Sequence, residues 1–236
     1  MSWKYDEKKH CGVDYSSAEE VAVYDTRHQQ FRDYKKEVDQ FLEELSVEAT
    51  RDTTLIDLGC GTGAFAINAA HHFKRIYAVD ISQMMLKVAQ DKAAQQTIDN
   101  ITFVNAGFLS YRHEAEPADL LLSRFALHHL PDFWKQEALF NMNRMVKQDG
   151  LFYLYDVIYN FEAADSETSI NGWIQSYAPK VRPEFLKEFE THIRDEYSTF
   201  SWIMEGLLEH AGFSVEKKGS HDNINMMYRC RKIAEK

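Results

Sequence analysis

The chain alternates short apolar runs with longer segments in which apolar residues recur at helical spacing. After the first run, for example, Phe65, Ala69 and Phe73 fall on one face of a helix. Five runs have the length and composition of buried strands: 54–58, 75–79, 101–105, 118–123 and 151–157. We therefore predict an α/β fold in which β/α alternations form a doubly wound sheet.

The two ends of the chain depart from this alternation. Residues 1–52 predict a helical arm: Ser16-Ser17 can cap a helix that begins at Ala18, and apolar residues at helical spacing predict a second helix over 29–45. The last part of the chain predicts one helix and two closing strands, over 198–210, 213–217 and 224–230. The closing strands bring the expected sheet to seven strands.

Two segments are predicted to cover a ligand. Polar residues 24–28, with Arg32 one turn further on, predict either a lid over the ligand or simply a solvated face. Residues 158–197 combine many aromatic residues with charges and two prolines, and predict an inserted lid with Tyr177 and Tyr197 in its roof. Aromatic side chains of this kind can cradle a cation or a flat molecule, or can form the core of the lid itself.

Three glycines at alternate positions, Gly59, Gly61 and Gly63, stand between the first strand and the first helix of the alternation. Glycines allow a sharp turn and let a ligand approach bare backbone. The amides at the start of the following helix then face that ligand. Asp80 ends the second strand, about twenty residues past the first glycine, where a carboxylate can hold both hydroxyls of a ribose. This pairing implies a ligand that contains adenosine.

The class of that ligand has two interpretations. Gly59-x-Gly61-x-x-Ala64 satisfies the dinucleotide fingerprint, so an oxidoreductase remains an alternative. Asp57, two residues before the first glycine, suits a ligand with an ammonium and a sulfonium better than one with a pyrophosphate. An acidic residue in this place, followed by Gly-x-Gly-x-Gly, resembles the first motif of class I S-adenosylmethionine-dependent methyltransferases.

The resemblance covers about residues 53–231. It extends to the turn 106–108, similar to the segment that cups the adenine ring, and to the run 126–132 after the fourth strand. Many family members carry an aspartate where this chain has Gly107, so the usual bond to the adenine amine is left to the backbone. The resemblance implies a Rossmann-like sheet with an antiparallel last strand, a domain over 53–236, S-adenosylmethionine as cofactor and S-adenosylhomocysteine as product.

The resemblance, the polar residues of the arm and the positions of residues at strand ends together indicate the residues of the site. Those expected to bind the cofactor are Asp57, Gly59, Cys60, Gly61, Gly63, Asp80, Ile81, Met85, Ala106, Gly107, Phe108, Ser123, Arg124, His28 and Arg32. Those expected to border the acceptor as catalytic candidates are His128, His129, Asp156 and Tyr159. Each catalytic candidate also has a structural interpretation: the histidines can cap a helix or bond backbone, and the other two can be a loop carboxylate and a core aromatic.

Composition restricts the partners. The net charge of −10 argues against nucleic acid or an anionic membrane as the main partner, and favours a small organic acceptor. The three cysteines, Cys11, Cys60 and Cys230, are widely separated, which is typical of a reducing compartment and offers no zinc spacing. With a charged N-terminus that does not match a signal peptide, we expect a cytoplasmic protein without a metal, and a homodimer is possible.

Methyl transfer from a sulfonium is an in-line displacement that depends mainly on alignment and on the exclusion of water. A general base matters only when the acceptor must lose a proton early. The sequence therefore predicts methyl transfer to a small organic molecule. One alternative is a regulatory or scaffold protein that binds S-adenosylmethionine without turnover. The other, which the motifs favour less, is a dinucleotide-dependent oxidoreductase.

Overall fold

A computed structural model describes residues 3–9, 12, 17–30, 32–45 and 51–236 of the chain. Cys11 and the cap predicted at Ser16 lie outside the described residues, so these two expectations stay predictions.

The main sheet has seven strands in the order β3-β2-β1-β4-β5-β8-β7. Their bounds are β1 Thr54–Leu58, β2 Arg75–Asp80, β3 Ile101–Asn105, β4 Ala118–Arg124, β5 Val146–Tyr159, β7 Phe213–Ser220 and β8 Asn225–Lys232. The first five run parallel, and β8 pairs antiparallel with both β5 and β7. This confirms the predicted seven-strand fold and its antiparallel last strand. A two-residue strand, β6 Thr199–Phe200, pairs with the end of β5 outside this order.

Eight α-helices occur among the described residues. They are α1 Ala18–His28, α2 Tyr34–Leu45, α3 Ala64–Ala69, α4 Gln83–Gln95, α5 Asp132–Met145, α6 Ser166–Tyr177, α7 Pro183–Asp195 and α8 Ser201–His210. Within the described part of the chain, none of them combines the length and the apolar character that crossing a membrane requires.

Both faces of the sheet are covered, because side chains alternate along each central strand. On β5, Phe152 and Leu154 enter one core, whereas Leu151 and Tyr153 enter the core on the opposite face. The first core also contains the apolar faces of α5 and α8, and the second contains those of α2 and α3. This two-sided burial leaves the carboxyl ends of the parallel strands as the open edge of the sheet.

The helical part of the arm begins at Ala18 and ends at Leu45 as predicted, but the boundary between its two helices differs from the prediction. Residues 24–28, expected between two helices, form the last part of α1, and α2 begins at Tyr34 rather than at residue 29. Helix α2 buries Val38 and Phe41, and the Phe41 ring lies edge-on to Phe65, with 5.3 Å between centroids. Tertiary packing therefore ties α2 to the sheet, while polar α1 lies further out.

The fifth strand is also longer than predicted. Helix α5 ends at Met145, and β5 begins at the next residue instead of at Leu151. Asp149 takes a left-handed conformation with φ 64°. Its neighbour Gly150 packs tightly against the side chain of Val146. Asp149 and Gly150 therefore form an irregular point inside β5.

Candidate functional site

Two adjoining cavities open at the carboxyl ends of β1, β2 and β4. The first, with a volume of about 490 Å³, lies over the glycine turn. The second, of about 540 Å³, lies between the arm, the end of β5 and the inserted helices α6 and α7. Tyr24, Arg32, Arg124 and Phe125 line both. The site can therefore hold two molecules in contact.

The glycine turn shapes the floor of the first cavity. Gly59, Gly61 and Gly63 have φ values of +84°, +55° and +68°, a region that side chains disfavour. A Cβ atom at Gly59 would collide with Ala126, and one at Gly63 would lie 2.7 Å from the Cβ atom of Ala89. No atom lies within 4 Å of a Cβ position at Gly61, which borders the cavity. Gly61 thus keeps the ligand space open, whereas Gly63 serves helix packing.

Asp80 ends β2 at the edge of the first cavity. Its Oδ2 atom accepts a hydrogen bond of 2.7 Å from the Gly61 amide, and its Oδ1 atom accepts one of 2.8 Å from the Ser82 amide. Burial raises the pKa of the Asp80 carboxyl, and the two amides partly counteract this. These bonds fix the carboxylate against the glycine turn, as a ribose-binding group requires.

Asp57, one strand away on β1, is a second carboxylate of this cavity. Its side chain is buried, and its Oδ2 atom has no hydrogen-bond partner among the described residues. Burial raises the pKa of Asp57 to about 7, although Arg124 lowers it and Asp80 raises it. A buried carboxylate oxygen without a donor costs free energy unless a ligand supplies one. Asp57 therefore marks the place of a cationic or hydrogen-bond-donating group.

Glu7 is a site residue that the sequence did not indicate. The segment 3–9 crosses the first cavity, and Glu7 Oε2 accepts a 2.9 Å hydrogen bond from the Leu109 amide. The same carboxylate occupies the position that a Cβ atom at Gly107 would take. An acidic group thus stands beside the turn that lacks the family's aspartate, supplied from another part of the chain.

The arm is joined to the glycine turn by one aspartate. Asp25, on α1, accepts a 2.5 Å hydrogen bond from Thr62 Oγ1. It also forms an ion pair with Lys92 on α4, in which Lys92 Nζ lies 2.6 Å from Asp25 Oδ2. Tyr24, its neighbour, lines both cavities. The polar face of α1 is therefore turned toward the site, which is one of the two interpretations of residues 24–28.

A buried cluster of two arginines and one glutamate separates the cavities. Arg32 donates two hydrogen bonds of 2.8 Å to Glu37, and Arg124 Nη1 lies 2.8 Å from the same carboxylate. Arg32 also lies over the rings of Tyr34 and Phe125, at 4.7 and 5.0 Å. With two cations for one anion, this cluster keeps a net positive charge beside both cavities.

The other residues predicted to bind the cofactor divide into two groups. Those that line the first cavity are Cys60, Ile81, Met85, Ala106, Gly107 and Phe108. Three lie elsewhere, and for them the structure corrects the prediction. Ser123 is fully buried in β4, and Gly63 packs against α4. His28 lines the second cavity, where its ring stacks on Tyr24 at 3.9 Å.

Two of the four catalytic candidates border a cavity. His129 lines the first cavity and His128 the second. Asp156 and Tyr159 line neither, which corrects their prediction as acceptor-facing groups. The buried Asp156 carboxylate binds the His128 ring and accepts hydrogen bonds from the Leu127 and His128 amides, at 2.8 and 3.1 Å. The Tyr159 ring packs against the Phe161 ring, with 5.3 Å between the ring centroids. Tyr197, which was predicted in the roof of the lid, is 40% exposed and lines neither cavity.

His128 belongs to a cluster that sequence spacing did not reveal. We call His128, His129, His192 and Glu196 the histidine cluster. Glu196 Oε2 contacts His192 Nδ1 and lies 3.0 Å from His128 Nε2, while its Oε1 lies 3.9 Å from His129 Nδ1. Although burial disfavours its charged form, Asp156 and Glu196 raise the pKa of His128 to about 10. Burial and the neighbouring His128 lower the pKa of His129 to about 3, so its ring is neutral.

The chain was compared with known proteins. Residues 55–150 match the methyltransferase domain family. An uncharacterized methyltransferase of Geobacillus thermodenitrificans is 24% identical over 187 residues, which cover 79% of this chain and 80% of that protein. This match and the first motif agree on a methyltransferase domain.

Solved structures share the fold. An S-adenosylmethionine-dependent methyltransferase from Clostridium acetobutylicum superposes with a TM-score of 0.66 at 16% identity, over 90% of this chain and 97% of that one. Magnesium protoporphyrin IX methyltransferase from Synechocystis PCC 6803, solved with bound S-adenosylhomocysteine, gives 0.62 at 16% identity, over 89% and 94% of the two chains. At these identities the likeness concerns the fold.

The buried Asp57 predicts a specific dependence of stability on pH. Its pKa rises from an ordinary 3.8 in the unfolded chain to about 7 in the folded protein. The folded state therefore holds this proton more tightly, and the group's contribution to stability is lost as the pH rises from about 4 to about 7. Asp57→Asn cannot ionise, so its free energy of unfolding should increase relative to wild type across this window and then level off.

Urea unfolding at a series of pH values measures this difference. Asp91→Asn, at an exposed position on α4, controls for the loss of one negative charge. A difference between wild type and Asp57→Asn that is the same at acidic and neutral pH would show that Asp57 does not titrate in this way.

Proposed function

We propose that this chain, which carries a methyltransferase domain on the class I methyltransferase fold, transfers the methyl group of S-adenosylmethionine to a small organic acceptor. The proposal places the cofactor in the first cavity and the acceptor in the second. The observation that carries it is the pair of carboxylates at the ends of β1 and β2, of which Asp57 is buried and has an oxygen without a partner among the described residues.

Each part of the cofactor has a matching group in the first cavity. Asp80 would accept hydrogen bonds from the ribose hydroxyls, since both of its oxygens face the turn on which the ribose lies. Asp57 would bind the ammonium group through its Oδ2 atom. The positive cluster of Arg32, Glu37 and Arg124 lies where the methionine carboxylate would extend.

Glu7 supports an unusual way of recognising the adenine. Its carboxylate stands at the Cβ position of Gly107, the place from which family members with an aspartate reach the exocyclic amine. Because Glu7 is held there by the Leu109 amide, it can accept a hydrogen bond from that amine without reorganisation. The segment 3–9 would then act as a strap that covers the base and recognises adenine through the Glu7 carboxylate.

The second cavity supports an acceptor that is small and partly aromatic. Its walls carry aromatic side chains from four different elements: Tyr24, Phe125, Tyr153, Tyr155, Trp173, Tyr177 and Phe189. Rings of this kind bury a flat molecule or surround a cation. A volume of about 540 Å³ suits a small organic molecule rather than a polymer. Phe125 and Tyr24, shared by both cavities, would bring the acceptor against the sulfonium.

The chemistry would be an in-line displacement. The nucleophile of the acceptor forms a bond to the methyl carbon while the carbon–sulfur bond breaks, and sulfur keeps the electron pair to give S-adenosylhomocysteine. This chain's residues would align the two molecules and exclude water through the strap, the arm and helices α6 and α7. His129 lies on the wall of the first cavity, but its lowered pKa makes it a poor base, so a proton that leaves the acceptor would pass to solvent.

Two alternatives are distinguished by simple titrations. A dinucleotide oxidoreductase would bind NAD in preference to S-adenosylhomocysteine. A regulatory protein would bind S-adenosylmethionine and show no turnover with any acceptor of the class described above.

Removal of the ribose-binding carboxylate should weaken cofactor binding. We expect Asp80→Ala to lose about 2 to 3 kcal/mol of binding free energy for S-adenosylhomocysteine, or roughly 30- to 150-fold in Kd, because two ribose hydroxyls lose their acceptor. Isothermal titration calorimetry measures this, with Asp99→Ala at an exposed position as the control. Unchanged affinity in an Asp80→Ala protein that still unfolds cooperatively would contradict the placement of the cofactor.

The role of Glu7 predicts a change in base preference. S-inosylhomocysteine carries an oxygen where S-adenosylhomocysteine carries the amine, so it cannot donate a hydrogen bond to Glu7 from that position. We expect Glu7→Ala to weaken S-adenosylhomocysteine binding roughly tenfold, the value of a hydrogen bond to a charged group, and to leave the inosine analogue nearly unchanged. A purely structural role of Glu7 would weaken both ligands equally, and that result would contradict adenine recognition.

The acceptor cavity predicts opposite results for two tyrosines of the inserted segment. Tyr177 lines the second cavity, whereas Tyr197 is exposed and lines neither. Once an acceptor is found, Tyr177→Ala should raise its KM or lower kcat by about tenfold or more, since a wall of the cavity is lost, with cofactor affinity constant. Tyr197→Ala is the matched control and should change neither. Equal kinetics for the two variants would place the acceptor elsewhere.

A further inference from the structure

The histidine cluster lies in the wall between the two cavities, where the methyl group would be transferred. His128, His129 and Glu196 each contribute one nitrogen or oxygen atom, and these three atoms lie within 4.8 Å of one another. The sequence predicted no metal because no ligand spacing is visible in it. The fold nonetheless brings Glu196, at the end of α7, against the 3₁₀ turn Leu127–His129 after β4.

Two atoms of this cluster have unmet bonding capacity. Glu196 Oε1 and His128 Nε2 are buried and make no hydrogen bond among the described residues. His128 Nε2 lies 3.0 Å from Glu196 Oε2, but this contact lacks the alignment of a hydrogen bond. The Glu196 side chain is 0% exposed and that of His128 is 3% exposed. Buried polar atoms that converge, and whose ion-pair contact has poor hydrogen-bond alignment, suit a shared partner placed between them.

The groups behind these atoms are arranged as in metal sites. Asp156 holds His128 by Nδ1, so the opposite ring nitrogen, Nε2, points into the cluster. Asp156 is itself fixed by amides, including a 2.8 Å hydrogen bond from Val157. On the other side, His192 contacts the Glu196 carboxylate and orients it. A carboxylate behind a histidine fixes the ring and raises its basicity, which is the usual support for a metal ligand.

We propose that His128, His129 and Glu196 bind a divalent transition-metal ion of the zinc class. Two imidazole nitrogens and one carboxylate are a donor set that Zn²⁺ takes in catalytic sites, where a fourth position stays open. The two carboxylates Asp156 and Glu196 supply negative charge for a divalent cation. His129 lines the first cavity and His128 the second, so the open position would face the space that both cavities share.

Such an ion would also narrow the class of acceptor, an extension that rests on the proposed function. An oxygen or sulfur atom of the acceptor would take the fourth position, lose its proton to solvent and become a better nucleophile. The acceptor would then be a thiol, phenol or chelating hydroxy compound that fits the aromatic second cavity. A metal site of this kind explains why the wall between the cavities contains three histidines.

Metal binding by the untagged full-length protein tests the site directly. After treatment with EDTA, the protein is dialysed against Zn²⁺, and bound metal is measured by elemental analysis. The Kd is then measured by competition with a chromophoric chelator, and Co²⁺ replaces Zn²⁺ for visible spectroscopy. We expect one Zn²⁺ per chain and intense d–d bands typical of four-coordinate Co²⁺.

The variants separate the cluster from adventitious binding. Glu196→Gln and His129→Gln should each raise the Kd for Zn²⁺ by roughly 100-fold or more, and Asp156→Asn by roughly 10- to 100-fold through its effect on His128. Glu209→Gln is the matched control, at an exposed position on α8. The double variant His71→Gln/His72→Gln removes a neighbouring pair of histidines outside the cluster, with ring centroids 3.8 Å apart, and should keep the site. If Glu196→Gln fails to fold, as judged by circular dichroism, His129→Gln decides, because its ring is 28% exposed.

The proposal is overturned if the wild type retains no Zn²⁺ at micromolar concentration. It is also overturned if His129→Gln binds Zn²⁺ as tightly as wild type, or if only the double variant loses it. S-adenosylhomocysteine affinity is measured on the same preparations, with and without EDTA. A protein that binds Zn²⁺ but not S-adenosylhomocysteine would contradict the proposed function and leave the metal site intact. A protein that binds S-adenosylhomocysteine but takes up no Zn²⁺ would contradict only the metal site.

Discussion

The burial of carboxylates at the ends of parallel strands is the constraint on which the rest of this site depends. Asp57 is buried and Asp80 half-buried beside the first cavity, because β1 and β2 are central strands with a neighbouring strand on each side. Burial of this kind raises the pKa of both groups, and only specific donors can compensate. For Asp80 the donors are amides of the glycine turn, whereas for Asp57 a ligand must supply part of the compensation.

The same electrostatic requirement organises the segments around the sheet. Asp25 ties α1 to the glycine turn through Thr62 and Lys92, and Glu37 ties α2 to Arg32 and Arg124. These partners are partly or fully buried, where an ion pair is screened less than on the surface and where loss of one member leaves an uncompensated charge. The arm is therefore part of the site's electrostatics, in addition to the apolar packing of α2 on the sheet.

The sequence could predict what depends on local pattern. Apolar runs located the strands of the sheet, and the glycines with Asp57 and Asp80 located the first cavity, because strand ends meet at one edge. It could not predict Glu7, whose partner Leu109 is 102 residues away, or Glu196, which meets His128 through an inserted helix. Asp156 was predicted from topology alone, and it lies at the expected strand end but points to His128 instead of a cavity. Contacts between distant segments leave no periodic signal in the chain.

The distribution of charge also agrees with the chemistry of a sulfonium donor. Positive charge on sulfur disappears as the methyl group moves, so a carboxylate beside the sulfur would stabilise the starting state more than the transition state. In this site three acidic side chains lie where parts of the cofactor that do not react would be: Asp57 suits the ammonium, Asp80 the ribose and Glu7 the adenine. The residues that line both cavities are Tyr24, Phe125 and the two arginines Arg32 and Arg124. The geometry thus gives binding energy to the parts of the cofactor that do not react.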